Sequence, residues 1–409
     1  MAFANGSVDT GRHLDLPNVV DRHGNEMVVV PAHNVLLPDS TRFTHDSFMI
    51  DKYIASQPDA TAESIGSLWD YGAAINNGAN MDPGNAMASS KQGVVSWVGT
   101  TYAQQTKACQ NRGREYVLAS NMMWSMIGYW AKEFGVTPHG DNQNAHPPRD
   151  AEYPDETGVL DSWLMLPLGQ GGGFGVGYDY KRALVGSGPS QWACPRGRES
   201  GIYDMNGLVH ERVMGLWLQA ATGLAYVQAN TRMSMTKGPL GQSSAVVAGQ
   251  LYDEYKEWTA DEFLDGTLGN VVLVDGAGTM HNLANGSPAN NTNTLFLANA
   301  ATVPAEGCYS VLKLVSTDIT AGSVSGQRIL TIQTGATLRY DSIPATTDAT
   351  GSKDWGQDGY WFSTAALRCA LRGGEWEKGD GSGVSALALN VSPASATTYD
   401  RAFRCAKLL

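Results

Sequence analysis

The chain has 409 residues, of which 17% are charged; 40 acidic against 28 basic side chains leave a formal net charge of −12. That balance excludes a nucleic-acid or anionic-membrane partner, since both need a basic footprint. With 47 glycines and 11 tryptophans, the composition is that of a loop-rich globular chain packed on aromatics, neither coiled coil nor disordered. No apolar run reaches membrane-spanning length, so no membrane insertion is expected. The opening MAFANGSVDTGRHLDLPN lacks a basic segment followed by an apolar one, and reads as no export leader. The five cysteines, Cys109, Cys194, Cys308, Cys369 and Cys405, form no CxxC pair and no zinc spacing. They read as buried thiols of a reducing compartment.

In chain order, residues 1–24 are polar and turn-rich, an N-terminal arm ahead of a single domain over 25–409. Glu26–Pro31 and Phe48–Tyr53 read as short strands, the second with Phe48, Ile50 and the stem of Lys52 on one face. Residues 57–92, rich in Ala, Gly, Asn and Ser, read as a long surface loop. Val95–Trp97 leads into a helix that ends near Asn111, with Gly113 as its stop. A second helix is better marked: Ser120 is its N-cap, Trp124, Ile127, Gly128, Ala131 and Phe134 share one face, and Gly135 follows its end. Residues 136–200 are loop-dominated and include His139 and His146. The glycine run 169–175 departs from both GxGxxG and the P-loop, and reads as a structural turn.

Gly201–Gly207 is a tight turn before a strand through about Leu218. Residues 225–350 read as an insertion within the same domain, because the frame resumes at Tyr360. Within it, 248–263 is expected as a helix, and Val271–Val274, Tyr309–Leu314 and Arg328–Ile332 as strands. Two amphipathic helices among short strands predict an α+β fold, with the helices packed on mostly antiparallel sheets and long loops between. Near the end, two cysteine-containing apolar runs, Ala365–Leu371 and Arg401–Ala406, bracket the small, polar stretch 371–406. A rigid frame around a polar segment is how many proteins present a binding surface.

Several motifs, taken in order, resemble one family. Met27–Pro31 (MVVVP), Phe48–Tyr53 (FMIDKY), Val95–Trp97 (VSW), Gly201–Val213 (GIYDMNGLVHERV), Arg372–Trp376 (RGGEW) and Phe403–Ala406 (FRCA) are similar to the signature segments of the formylglycine-generating-enzyme-like branch of the C-type lectin fold. Tyr116–Trp124 (YVLASNMMW), Ala183–Trp192 (ALVGSGPSQW) and the terminal stretch resemble, more narrowly, the variable proteins of diversity-generating retroelements. In that class, codons of the terminal region are rewritten at template adenines. The resemblance implies a C-type lectin-like fold, no cofactor, and a non-enzymatic receptor-binding or adhesin role on a phage particle or cell surface. Its partner would be a variable macromolecular ligand, a protein or cell-surface receptor, with oligomerisation left open.

Asparagine codons altered at their adenines reach Asp, Tyr, Ser, Gly, Ala, Thr and Val, but never Glu, Lys or Trp. Asp380, Gly381, Ser385, Ala388, Asn390, Val391, Ser395, Ala396, Thr397, Thr398, Tyr399 and Asp400 all fall within that set. They are expected to face outward as one ligand patch, with Tyr360 and Trp361 adding aromatic area in the manner of a paratope. Glu375, Glu377 and Lys378 are expected at its rim, and Trp376 in the core.

The rival reading is a metal-dependent oxidase or sulfoxide synthase of the same fold. Against it, residues 375–385 hold no cysteine where that branch carries its catalytic thiolates. The eight histidines form no HxxxH set. Calcium in that branch is bound around an Asn and a Glu. Leu208 replaces the Asn here and Arg212 the second Trp, which leaves Glu211 as a structural carboxylate rather than a metal ligand. His210 and Glu211 are adjacent and point to opposite faces of a strand.

Overall fold

The computed structural model describes residues 17–62, 64–68, 83–113, 115–133, 165–167, 181–183, 185, 201–205, 207–219, 224–228, 271–274, 280–285, 295–297, 310–316, 322–335, 338–375, 381–395 and 401–409. Among these, two α-helices stand with several sheets, an α+β arrangement. No helix among the described residues is long and apolar enough to cross a membrane.

The first sheet runs Asn18–Val20, Glu26–Val30, Phe48–Asp51, Cys405–Leu408, Tyr116–Leu118, antiparallel throughout. Val28, Val30, Phe48 and Ile50 are fully buried, as the apolar alternation of MVVVP and FMIDKY requires. Asp51 is equally buried. Both its oxygens take Arg112 Nη1 at 2.8 and 2.7 Å, and Oδ2 also receives the Cys405 amide at 3.1 Å. The end of the expected arm belongs to this sheet: Asn18–Val20 pairs with Glu26–Val28, and Asp21 takes Arg112 Nη2 at 2.7 Å.

The larger sheet, twelve strands among the described residues, follows the order Leu295–Leu297, Met280–Asn285, Val271–Val274, Ser310–Ser316, Leu224–Gln228, His210–Leu218, Arg368–Gly373, Gly383–Val391, Gly359–Ser363, Ser323–Ile332, Pro344–Asp348. Arg401–Phe403 pairs beside His210–Arg212 in parallel, as Gly359–Ser363 does with Gly383–Val391; the other pairings are antiparallel. The strands expected at 271–274, 309–314 and 328–332 are present, and the strands of 225–350 extend this one sheet.

Helix α1, Tyr102–Gln110, begins beyond the Val95–Trp97 segment expected to lead into it. Thr101 and Gln104 form a capping box that fixes the start there. Val95–Trp97 stays outside the helix, and the Trp97 amide donates to Ala55 O at 2.7 Å. Helix α2, Asn121–Glu133, starts where its cap predicts, with the Met123 amide on Ser120 Oγ at 3.1 Å. Trp124, Ile127 and Ala131 are buried as expected; burying a side chain such as Ile127 contributes roughly 1.5–3 kcal/mol. Gly128 allows the close approach of α2 to the Gly383–Val391 strand, since a methyl there would lie 3.1 Å from Val384 Cγ1. Phe134, Gly135, His139, His146, the glycine run 169–175 and the helix expected at 248–263 lie outside the described residues.

Two expectations are corrected. The stretch 57–92 is not wholly a surface loop: Gln57, Ile65 and Ala88–Ser90 are buried, and Ser89–Ser90 pairs with Ala55–Ser56. Small side chains there fit a tight interior, where Ser90 is held by Asn25 Oδ1 and Glu26 O. Nor are the cysteines all thiols. Cys109 of α1 and Cys405 are joined in a disulfide across a sequence separation of 296. Cys369 remains a buried thiol.

Candidate functional site

The terminal stretch is anchored at both ends by completely buried arginines. Arg372 follows Leu371 in the central sheet. Its Nε donates to Asn121 Oδ1 at 2.7 Å, its Nη2 to Asp341 O at 2.5 Å and its Nη1 to Ser385 O at 3.3 Å. Burial pushes Arg372 down to about 10, against the opposing pull of Tyr129 and Asp341. Burial pushes Asp341 up to about 7, opposed by the Asn121 hydrogen bond and by Arg372. Gly373 and Gly374 follow at φ +85° and +78°, left-handed backbone that explains the paired glycines of RGG.

At the other end Arg404 bridges the two sheets. It forks onto Glu211 through Nε and Nη2, and donates to Asp51 O at 3.0 Å and Tyr203 O at 2.8 Å. Burial works against the charge of Arg404, but the Glu211 carboxylate, Asp204 and Asp51 together hold the guanidinium above its ordinary value. Both Glu211 oxygens carry Arg404 donors, so this carboxylate does not fit a calcium ligand. His210, on the other face of the strand, lies 4.0 Å from Glu375 and edge-on to Trp361, with ring centroids 6.0 Å apart.

Between the anchors, buried groups of the frame hold the main chain. Trp124 Nε1 donates to Val384 O at 2.7 Å. Asp358 Oδ2 accepts from the Ser385 amide at 2.6 Å. Cys369 Sγ approaches Val391 O at 3.8 Å. The Tyr102 amide donates to Pro393 O at 2.9 Å, and Arg212 Nη2 to Ser395 O at 3.0 Å.

The expected outward patch divides. Asn390 and Ala394 are exposed, and Ser385, Ser392, Pro393 and Ser395 are half-buried. Ala388 is 2% exposed, Val391 5% and Trp361 6%; Gly381, Tyr360 and Glu375 are buried as well. These six do not face solvent, which corrects the outward reading at those positions. The reason is that Gly383–Val391 is covered on both faces. Val384, Leu387 and Leu389 join the main core with Tyr360 and Phe362, while Ala386, Ala388 and Val391 pack with Trp361 and Leu371 on the other side. Ala388 is paired with both Trp361 and Leu371 across neighbouring strands. Asp380, Glu377, Lys378, Trp376, Ala396, Thr397, Thr398, Tyr399 and Asp400 lie outside the described residues.

The supports Arg212, Asp358 and Asp341 carried no weight in the sequence reading. Arg212 stood where the resembled family has its second Trp, and was weighed only against a calcium site at Glu211. No family model matches the chain. No curated protein matches it either.

Proposed function

We propose that this protein is a non-enzymatic ligand-binding protein of receptor-binding or adhesin type, carrying an exchangeable surface on a C-type lectin-like frame. One observation carries the reading. The terminal stretch comes out to solvent at Asn390 and 392–395, yet both its ends, Arg372 and Arg404, are completely buried. The anchoring arginines of the RGGEW and FRCA motifs are thereby separated from the residues free to touch a partner. The order of the motifs from MVVVP to FRCA supports the same division. Among the described residues, a ligand patch narrowed to Ser385, Asn390 and 392–395 keeps variation away from buried positions, where substitutions destabilise most.

Sequencing the gene across many isolates tests the proposal. Replacements should gather at codons 385, 390 and 392–400 and spare Arg372, Ala388 and Arg404. Replacements spread evenly over the exposed surface would overturn it. Metal analysis of the purified protein bears on the same reading, since stoichiometric copper or iron would favour an oxidase.

A further inference from the structure

Arg212 lies in the His210–Leu218 strand with its side chain completely buried. Its Nη1 donates to Thr100 O at 3.1 Å and its Nη2 to Ser395 O at 3.0 Å. The first carbonyl belongs to the turn that caps α1; the second belongs to the solvent-facing connection near the chain's end. The Tyr102 amide, first in α1, donates to Pro393 O. Helix-start amides have no partner inside their own helix, so this carbonyl completes the helix while the helix fixes the connection. The Ser395 amide closes back on Ser392 O at 3.0 Å.

The bonds that reach 392–395 from Arg212 and Tyr102 all use its main-chain atoms. Two contacts use its side chains: Arg401 Nη1 on Ser395 Oγ at 2.8 Å, and the Ala394 amide on Ser392 Oγ at 3.3 Å. A guanidinium suits the bridging task because its donors are fixed in one plane and stay charged; a lysine ammonium is a single point on a flexible stem.

We infer that Arg212 is a positioning residue of the ligand segment: it sets the path of the main chain through 392–395 against α1, whatever side chains that segment carries. The inference rests on reading 392–395 as part of the ligand surface, but the clamp itself is measurable without any ligand.

Residue-resolved hydrogen–deuterium exchange on the full chain tests it, comparing the natural protein with Arg212→Lys and with a triple variant, Ser392→Ala, Ala394→Tyr and Ser395→Ala. In Arg212→Lys, the Tyr102 and Ser395 amides should exchange at least about tenfold faster, the factor a lost hydrogen bond to a charged donor carries, while the amides of α2 keep their rates. The triple variant should protect Tyr102 and Ser395 as the natural protein does. Unchanged protection in Arg212→Lys would overturn the inference. So would loss of protection throughout α2 in that variant, which would make Arg212 a general core group. Equal loss in the triple variant would show that side chains hold the segment. Evenly spread replacements among isolates would remove the ligand reading and leave the clamp standing.

Discussion

Glu211 and Arg404 face each other fully buried, one carboxylate filled by one guanidinium, at the single residue that separates the Arg401–Phe403 strand of the large sheet from the Cys405–Leu408 strand of the small one. Removing one partner strands a charge that the interior cannot solvate. Glu211→Ala should therefore cost about 3–5 kcal/mol, read as a lowered urea midpoint. The double variant Glu211→Leu, Arg404→Met should recover part of that loss. A double variant no more stable than Glu211→Ala would show that the other Arg404 bonds, to Asp51 O and Tyr203 O, dominate.

Asp341 gives stability a pH dependence. Its carboxyl is fully buried and pushed up to about 7, above the ordinary value it has in the unfolded chain. Between those two values the folded state holds the extra proton. Stability should then be greatest at the acidic end of that window, fall as pH rises towards about 7, and level off above it. The full swing is on the order of 4 kcal/mol. Asn121, Tyr129 and Arg372 face this group, and the Asn121 Nδ2 to Asp341 Oδ1 bond at 2.8 Å survives in Asp341→Asn. That variant should flatten the slope between pH 5 and 8 in chemical unfolding; an unchanged slope would place its origin elsewhere.

Ala388 and Asn390 sit two residues apart in one strand and should respond oppositely to the same change. Ala388→Tyr must enter the space shared by Trp361 and Leu371, and overpacking of that kind costs roughly 1–3 kcal/mol or more. Asn390→Tyr projects into water and should stay within about 0.5 kcal/mol. Thermal midpoints of the two proteins, measured side by side, decide the matter. Equal destabilisation would contradict the two-sided burial of this strand.

The Cys109–Cys405 bridge closes a loop spanning most of the chain. Replacing both cysteines by serine should lower stability by about 2–5 kcal/mol. The natural protein should lose a similar amount on adding reductant, and the double variant nothing further. Insensitivity of the natural protein to reductant would count against the bridge.

What the sequence made legible was local. Ser120 marks its helix because an N-cap acts within one turn, and MVVVP and FMIDKY mark strands by their alternation. The pairing of Cys109 with Cys405 left no local trace. The burial of Ala388 was hidden for a related reason: alanine suits either side of a strand, and the covering Trp361 arrives from a parallel neighbour. The bracing role of Arg212 was not legible because the worth of a buried arginine lies in acceptors brought from elsewhere, here Thr100 and Ser395. Thr101 was overlooked as a cap, although the Thr–Gln spacing that sets the start of α1 was there to be seen.

The Cys405–Leu408 strand lies inside the small sheet, between Phe48–Asp51 and Tyr116–Leu118. A ribosome must therefore translate the whole of 375–400 before that sheet can close. Any stop codon or frameshift introduced there deletes an interior strand, together with Arg404 and Cys405. Such a product lacks the strand that joins Phe48–Asp51 to Tyr116–Leu118. The architecture thus proofreads its own message: only copies read through intact to the last strand can complete the small sheet.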